Sequence, residues 1–425
     1  MNYLDIKNLL KGNALDERII DINVCDDVDF QKQRYLKLLE QTYKLYGDGN
    51  YSLLSAPGRS EIGGNHTDHQ HGKVIAAAVN MDNIAFVKAN NSNMINYHTL
   101  GFTMNSIDIN DLTIKIEEKF KAEALVRGIA AGFVERGYHI GGFDGLGQSN
   151  VLMGSGISSS ASFEILIAQI FNHLFNEGRI SPIELAKIAQ TAENQYFMKP
   201  CGLLDQMAIS VGGFVYIDFK NPDLPIVEKL DFNFKDYGYN LVLVNTKGNH
   251  ADLSDEYASI PNEIKEVAAY FDEAVISDCS KDKIFTNIKE LRNKLDNDRA
   301  ILRALHVLNE NDRVDQEAEA LRKNDIKKML FLMKESGNSS FKYLQNVSVN
   351  NRFKTQNLAL ALAISEAALE CQGATRVHGG GFEGTIQAIV HDGQLEGYLK
   401  IMREVFGEDS CFILKARPEG GVKVI

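Results

Sequence analysis

Apolar residues recur at helical spacing over residues 29–46 with charged residues between them, and residues 1–48 as a whole read as packing or capping helices without a motif. From Tyr51 the texture changes to strand and turn. Residues 51–56, 73–79 and 84–87 are apolar enough for strands, and the first is expected to stop at Pro57-Gly58. Helical periodicity returns over 117–136, up to Leu174, and over 182–196, which predicts helices covering one face of a sheet. After Val211-Gly-Gly213 the run at 214–219 reads as a strand crossing into a second half, so the division is placed near residue 215: one domain at 1–215, another at 216–425. The second half has a strand at 241–245 and helical stretches at 261–274, 313–336 and 354–371. Gly379-Gly-Gly-Phe-Glu-Gly384 then precedes a strand at 385–390. The pattern predicts an α+β fold, with no repeat and no low-complexity tract.

One boundary in this pattern carries chemistry. Gly154-Ser-Gly-Ile-Ser-Ser-Ser-Ala-Ser162 opens directly into an apolar helical run. Glycines turn backbone N–H groups toward a ligand, hydroxyls add donors, and the first helical turn carries the positive end of the dipole, so Gly154, Ser155, Gly156, Ser158, Ser159 and Ser160 form a candidate phosphate cradle. The competing reading is a serine cap on an ordinary turn. The loop is not a Walker A motif, since Gly72-Lys73 is followed by Val74, and serines replace the later glycines of a dinucleotide fingerprint.

A second dense segment spans residues 57–72, with one arginine, four glycines, three histidines and two acids. Such groups bond vicinal hydroxyls, and glycines admit a ligand close to the backbone. A metal site at His66, Asp68, His69 and His71 is the rival reading, and a satisfied polar turn is the plain one.

Composition limits the partners. A chain of 425 residues exceeds one ordinary core, and 44% hydrophobic with 24% charged residues is globular composition. The net charge of −12 argues against nucleic acid or an anionic membrane as partner, so an anionic ligand must be held locally. Five scattered cysteines without a C-x-x-C give neither a disulfide framework nor a zinc knuckle. The first residues lack a signal pattern and no long uncharged apolar run occurs, so a cytoplasmic protein without a membrane or obligate protein partner is expected.

Taken with Arg376-Val-His-Gly-Gly-Gly-Phe-Glu-Gly384, the two segments stand in the order and spacing of the three motifs of the GHMP small-molecule kinases, and the chain most resembles the galactokinases. Gly58, Arg59, Gly64, His66, Thr67 and Asp68 match their first motif in register. Cys201-Gly-Leu-Leu-Asp-Gln206 and Ala192-Glu-Asn-Gln195 are also similar, with further echoes at Ser254-Asp-Glu-Tyr257 and 332–336. The resemblance implies an N-terminal domain like the second domain of ribosomal protein S5, a C-terminal ferredoxin-like domain, and transfer of the ATP γ-phosphoryl group to the anomeric hydroxyl of galactose. It implies Asp205 facing the C1 hydroxyl with Arg59 beside it, sugar contacts at Asn65, His66, Asp68, Gly202 and Tyr257, and Mg²⁺ at Ser160 and Glu193. Asp205 lies near the start of the apolar run 203–211, where the helix dipole and Arg59 favour its ionised form.

The match is incomplete. Glu61 stands where the family usually has Asn, Asn65 where it has Glu and His69 where it has Tyr, while the third motif carries His378 and Glu383 at positions usually small. Asn65 replaces two acceptors by one acceptor and one donor. Two other activities therefore stand beside galactose phosphorylation: a related sugar-1-kinase acting on N-acetylgalactosamine, L-arabinose or a similar sugar, and a non-catalytic sugar sensor.

Overall fold

The computed structural model describes residues 1–151, 156–248, 253–349 and 351–425. In chain order its strands are β1 (Ser52–Gly63), β2 (Lys73–Ala89), β3 (Met94–Thr99), β4 (Ile107–Asp108), β5 (Phe143–Ser149), β6 (Phe214–Asp218), β7 (Ile226–Leu230), β8 (Tyr239–Asn245), β9 (Ala374–Val377), β10 (Thr385–His391), β11 (Cys411–Leu414) and β12 (Val422–Lys423). They form two sheets. The larger has the order β12-β1-β2-β5-β3-β4, with β6 on β2 and β7 on β6; the smaller is β11-β8-β10-β9. β2 is long enough to pair twice on one side of β1: Lys73–Ala77 with β6, and Asn83–Ala89 with β5.

Alternation along the strands explains how the layers stack. Leu241 and Leu243 of β8 point into a core shared with Ile62, Ile75 and Val79 of the larger sheet and with Val314, Leu321, Met329 and Met333, whereas Val242 and Val244 point to the other side. Helices Asp298–Arg322 and Ile326–Ser339 thus lie between the sheets. Helices Asn357–Leu369 and Leu395–Phe406 cover the far face of the smaller sheet through Leu358, Leu362, Leu399 and Met402. On the larger sheet, helices Ala122–Glu135, Ser159–Phe175, Pro182–Thr191 and Leu204–Val211 bury Val126, Ile129, Ile165, Phe171, Ile188 and Ile209 against Leu54, Ala56, Ala85 and Val87. The N-terminal helices pack Ile6, Ile19, Leu38 and Leu39 against Leu53, Phe86 and Val424. Among the described residues no helix is long and apolar enough to cross a membrane.

Several boundaries differ from the sequence expectation. β1 does not stop at Pro57-Gly58 but continues to Gly63 through register shifts at Pro57/Gly58 and Glu61/Gly63. A bulge tolerates a proline that cannot donate, and Gly58 lets the Ile157 carbonyl come close. The stretch expected as one helix over 313–336 is two, because Asn324 takes a positive φ of 56° and Asp325 caps the second helix through the Lys328 N–H at 3.0 Å. Pro261 lies inside a helix, Ser254–Tyr270, rather than at its start. The helix over 182–196 ends in a π-turn, Ala192–Tyr196, which carries Glu193. Strand β6, at the expected division, is hydrogen-bonded into the larger sheet, and the chain end returns to that sheet as β12 beside β1.

The larger sheet is tied to its flanking elements by a buried charge cluster. Asp82 is fully buried between Arg34 of helix Val28–Tyr46 (2.6 Å), the Ser55 hydroxyl (2.6 Å) and Arg417 near the chain end (3.5 Å). Burial opposes its charge, but the two guanidinium groups and the hydroxyl outweigh burial and hold the carboxyl below its ordinary value of 3.8. A group with a depressed folded pKa stabilises the fold above its unfolded pKa, and that stability disappears as pH falls through the folded value. Asp82→Ala is expected to lower the unfolding free energy by about 3–5 kcal/mol at neutral pH, because it leaves two buried cations unpaired. Urea titrations should show the difference from wild type narrowing as the pH falls below about 4.

Candidate active site

Arg59 sits on β1 just past the bulge, and its guanidinium joins two other elements. Its Nε donates to Asp205 Oδ1 at 2.8 Å, its Nη2 reaches the same oxygen at 2.6 Å, and its Nη1 donates to the Gly156 carbonyl. Asp205 stands in the first turn of helix Leu204–Val211, and its other oxygen accepts the Ser158 hydroxyl. The Arg59 side chain is 9% exposed and that of Asp205 is 33% exposed, so the cation is enclosed while the carboxylate keeps a face to solvent. The Arg59 backbone N–H also donates to the Ile157 carbonyl at 3.1 Å.

Ser158 bears on the two readings of the glycine-serine loop. It occupies the N-cap position of helix Ser159–Phe175 with φ +57°, yet it makes no side-chain cap bond; its hydroxyl goes to Asp205 instead. The first-turn N–H groups consequently lack a side-chain cap and remain donors for an anion. Gly156 has φ +77° and lies against His378, so the loop needs glycine there. Gly154 and Ser155 lie outside the described residues. Ser159 and Ser160 open the helix, both partly exposed.

The loop after β1 presents His66 and Asp68. His66 Nε2 donates to the Gly380 carbonyl at 3.0 Å, which leaves Nδ1 facing His69 Nε2 at 3.3 Å; burial and then His69 hold the imidazole neutral by lowering its pKa. Asp68 accepts the His69 N–H at 2.9 Å, and a side chain at Gly202 would collide with its carboxylate. Burial, followed by the charge of Asp205, pushes the Asp68 carboxyl up. Tyr257 donates to the Gly381 carbonyl at 3.0 Å and lies edge-on to Phe382. Among the described residues, no three His, Cys, Asp or Glu side chains are grouped to hold a metal ion.

Asn65 departs from its expected place at a ligand. Its side chain is fully buried, and both amide donors and both lone pairs of its oxygen are engaged inside the protein. No position is left for a hydroxyl.

Next to Asp205 in sequence, Gln206 donates to Glu164 at 2.9 Å and to Glu193 at 2.8 Å, and Lys199 pairs with Glu193 at 2.9 Å. Glu164 lies one turn after Ser160 on the same helix. Burial and then Glu193 push its carboxyl well up, and its Oε1 is buried without a hydrogen-bond partner. A hard cation of the Mg²⁺ type keeps several waters and needs only one or two protein oxygens. The partly exposed Ser160 hydroxyl and the Glu193 carboxylate, held by Lys199 and Gln206, are the oxygens expected to meet it.

Sequence reasoning did not single out Lys199 or Glu164, nor the part Ser158 plays at Asp205. The i, i+4 spacing of Ser160 and Glu164 was the available signal for one of them. The two departures in the third motif are both structural ties. His378 Nε2 accepts the Glu61 N–H at 3.3 Å and lies 3.0 Å from the Ser60 hydroxyl, and Glu383 is buried against Arg352 at 2.9 Å.

The chain is similar to several known proteins. Residues 123–213 match the GHMP kinases N terminal domain, and residues 43–89 match the galactokinase galactose-binding signature. A galactokinase of Glaesserella parasuis is 30% identical over 370 residues, covering 84% of this chain and 90% of its own. One of Clostridium tetani is 28% identical over 375 residues, covering 86% and 90%. Among solved structures, Lactococcus lactis galactokinase complexed with galactose superposes with a TM-score of 0.78 at 22% identity, covering 90% of this chain and 98% of its own. Methanococcus jannaschii mevalonate kinase superposes at 0.60 with 16% identity, covering 87% and 99%.

The acidic surroundings of Gln206 make a chemical prediction. Burial first, then Glu193, Glu164 and Asp205, push the Cys201 thiol far above its ordinary range, and only a thiolate is alkylated readily. Native protein treated with iodoacetamide at pH 8 should be labelled at exposed Cys371 and spared at Cys201, with Cys201 reacting after denaturation. Peptide mass spectrometry reads the outcome, and equal labelling of the two contradicts the assigned environment.

Proposed function

The chain belongs to the galactokinase family of the GHMP kinases, and on that premise we propose how it works: it transfers the γ-phosphoryl group of ATP to the C1 hydroxyl of galactose, giving galactose 1-phosphate and ADP. The observation that carries this reading is the Arg59–Asp205 pair, 2.6 Å apart, beside the loop bearing Gly156 and Ser158.

Phosphoryl transfer asks mainly for alignment and charge neutralisation. In this reading the uncapped first turn of helix Ser159–Phe175, which opens with Ser159 and Ser160, holds the phosphates of ATP together with Gly156 and Ser158 ahead of it. Arg59 stabilises the charge that develops on the transferred group. Asp205 accepts the hydrogen bond of the C1 hydroxyl and takes its proton as the new oxygen–phosphorus bond forms, while the electron pair of the broken bond leaves with ADP. His66, Asp68, Gly202 and Tyr257 face the sugar. Ser160 and Glu193 would hold Mg²⁺, which supplies positive charge against the phosphates when bound. Cytoplasmic placement goes with ATP as donor and with cysteines that are all unpaired.

An ADP-release assay over a panel of monosaccharides, with the phosphorylated product identified, tests the substrate. Galactose should be turned over best; a higher kcat/KM for N-acetylgalactosamine or L-arabinose replaces it, and no ADP release with any sugar removes the catalytic reading.

Two sets of variants test the roles. Asp205→Asn keeps the shape of the side chain and should lower kcat by about 10²–10⁴-fold, and Arg59→Ala should lower it by about 10²–10³-fold. A rise in sugar KM with kcat intact would make either one a binding residue. Ser160→Ala and Glu193→Gln should each raise the Mg²⁺ concentration for half-maximal rate, with the sugar KM little changed.

A further inference from the structure

Asn65 is the point at which four distant segments meet. Its Nδ2 donates to Glu61 Oε1 at 2.9 Å and to the Gly379 carbonyl at 2.7 Å; its Oδ1 accepts from Asn346 at 2.9 Å and from Ser340 at 3.3 Å; its backbone carbonyl accepts from His306 at 2.9 Å. The amide orientation follows from its neighbours, since a carboxylate and a carbonyl can only accept. Glu61 is held in turn by Arg376 of β9, which also donates to the Ile62 carbonyl at 3.0 Å.

The contact with Gly379 is the first of a series. Three successive carbonyls of the glycine run are taken by three residues from the sugar side: Gly379 by Asn65, Gly380 by His66 at 3.0 Å, and Gly381 by Tyr257 at 3.0 Å. Asn346 braces the series by donating to both Asn65 Oδ1 and the Gly380 carbonyl, the latter at 3.3 Å. Gly381 is in the left-handed region at φ +80°, so this backbone is chosen by its ties rather than by local preference.

We propose that Asn65 is a positioning residue for the sugar site: it fixes the Gly379–Gly381 run through the Gly379 carbonyl, and so sets the orientation of His66 and Tyr257 without touching the sugar itself. Glu61 and Arg376 belong to the same device, because they hold the amide that makes the bond. The exchange of a carboxylate for an amide at position 65 then has a structural meaning. A glutamate there would set an oxygen against Glu61 and against the Gly379 carbonyl, both acceptors. The proposal rests on the reading that His66 and Tyr257 face the sugar.

The test compares Asn65→Ala, and separately Asn346→Ala, with wild type on galactose and on its 2-, 4- and 6-deoxy analogues, with the ATP KM measured for each. Wild-type turnover of galactose checks the underlying reading by itself. The expected result is a rise of about tenfold or more in galactose KM in both variants, the scale of one buried hydrogen bond, with the ATP KM within about twofold. Because two sugar-facing residues are displaced together, the rise should persist on every deoxy analogue. A direct contact predicts otherwise: on the one analogue lacking the touched hydroxyl, wild type and Asn65→Ala would have equal KM, and that result overturns the proposal. Unchanged sugar KM in both variants, or equal rises for sugar and ATP, overturns it as well. Should Asn65→Ala not fold, Asn346→Ala supplies the same readout with Asn65 in place.

Discussion

A guanidinium taken out of water needs an anion and several acceptors, and in this molecule that need draws three segments together around Arg59. Arg59 finds its anion on helix Leu204–Val211 and an acceptor at Gly156 of the glycine-serine loop, while its own backbone binds Ile157 of the same loop. Three segments far apart in sequence are thereby brought to one point. The arrangement depends on the bulge in β1, because a regular strand would carry Pro57 through the ladder and deny Gly58 its approach to Ile157. Ser158 completes it: a hydroxyl that would ordinarily cap a helix turns to Asp205, and the helix end stays open to an anion.

The same sharing of buried charge recurs between the sheets. Glu61 pairs with Arg376, Glu310 pairs with Arg313, and Glu317 has both carboxylate oxygens buried without a partner. Burial, then the charge of Glu310, pushes the Glu317 carboxyl well up. The core beneath is shared as well, since Ile62 and Ile75 of one sheet pack in the same cluster as Leu241 and Ile389 of the other.

The α+β class and the helix that follows the glycine-serine loop were legible in the sequence because both are written in short-range patterns. Two-residue alternation places Leu241 and Val242 on opposite faces, and the glycine-serine loop announces its helix. The continuation of β1 through Pro57 was not legible, since it turns on a residue whose local preference the tertiary structure overrides. The break at Asn324-Asp325 instead follows local preferences, a left-handed asparagine and an aspartate cap, that the apolar periodicity over 313–336 masked. The place of Asn65 was hidden for a different reason. Its partners lie at positions 61, 340, 346 and 379, and no window of sequence contains them together. Motif matching put it beside a ligand; burial and a complete set of hydrogen bonds put it inside the wall.

The last residues of the chain lie beside the first strand. Val422 and Lys423 pair with Ser55 and Leu54, Arg417 bonds Ser55 and faces Asp82, and the Leu53 N–H donates to the carbonyl of Ile425 at 3.1 Å. A ribosome makes the chain from the other end. While it works, the edge of β1 is without its neighbour and Asp82 is without its second guanidinium. The larger sheet therefore closes only once residues 417–423 have been made, and a product truncated before them leaves behind an open strand edge of the kind that quality-control machinery and self-association both act upon.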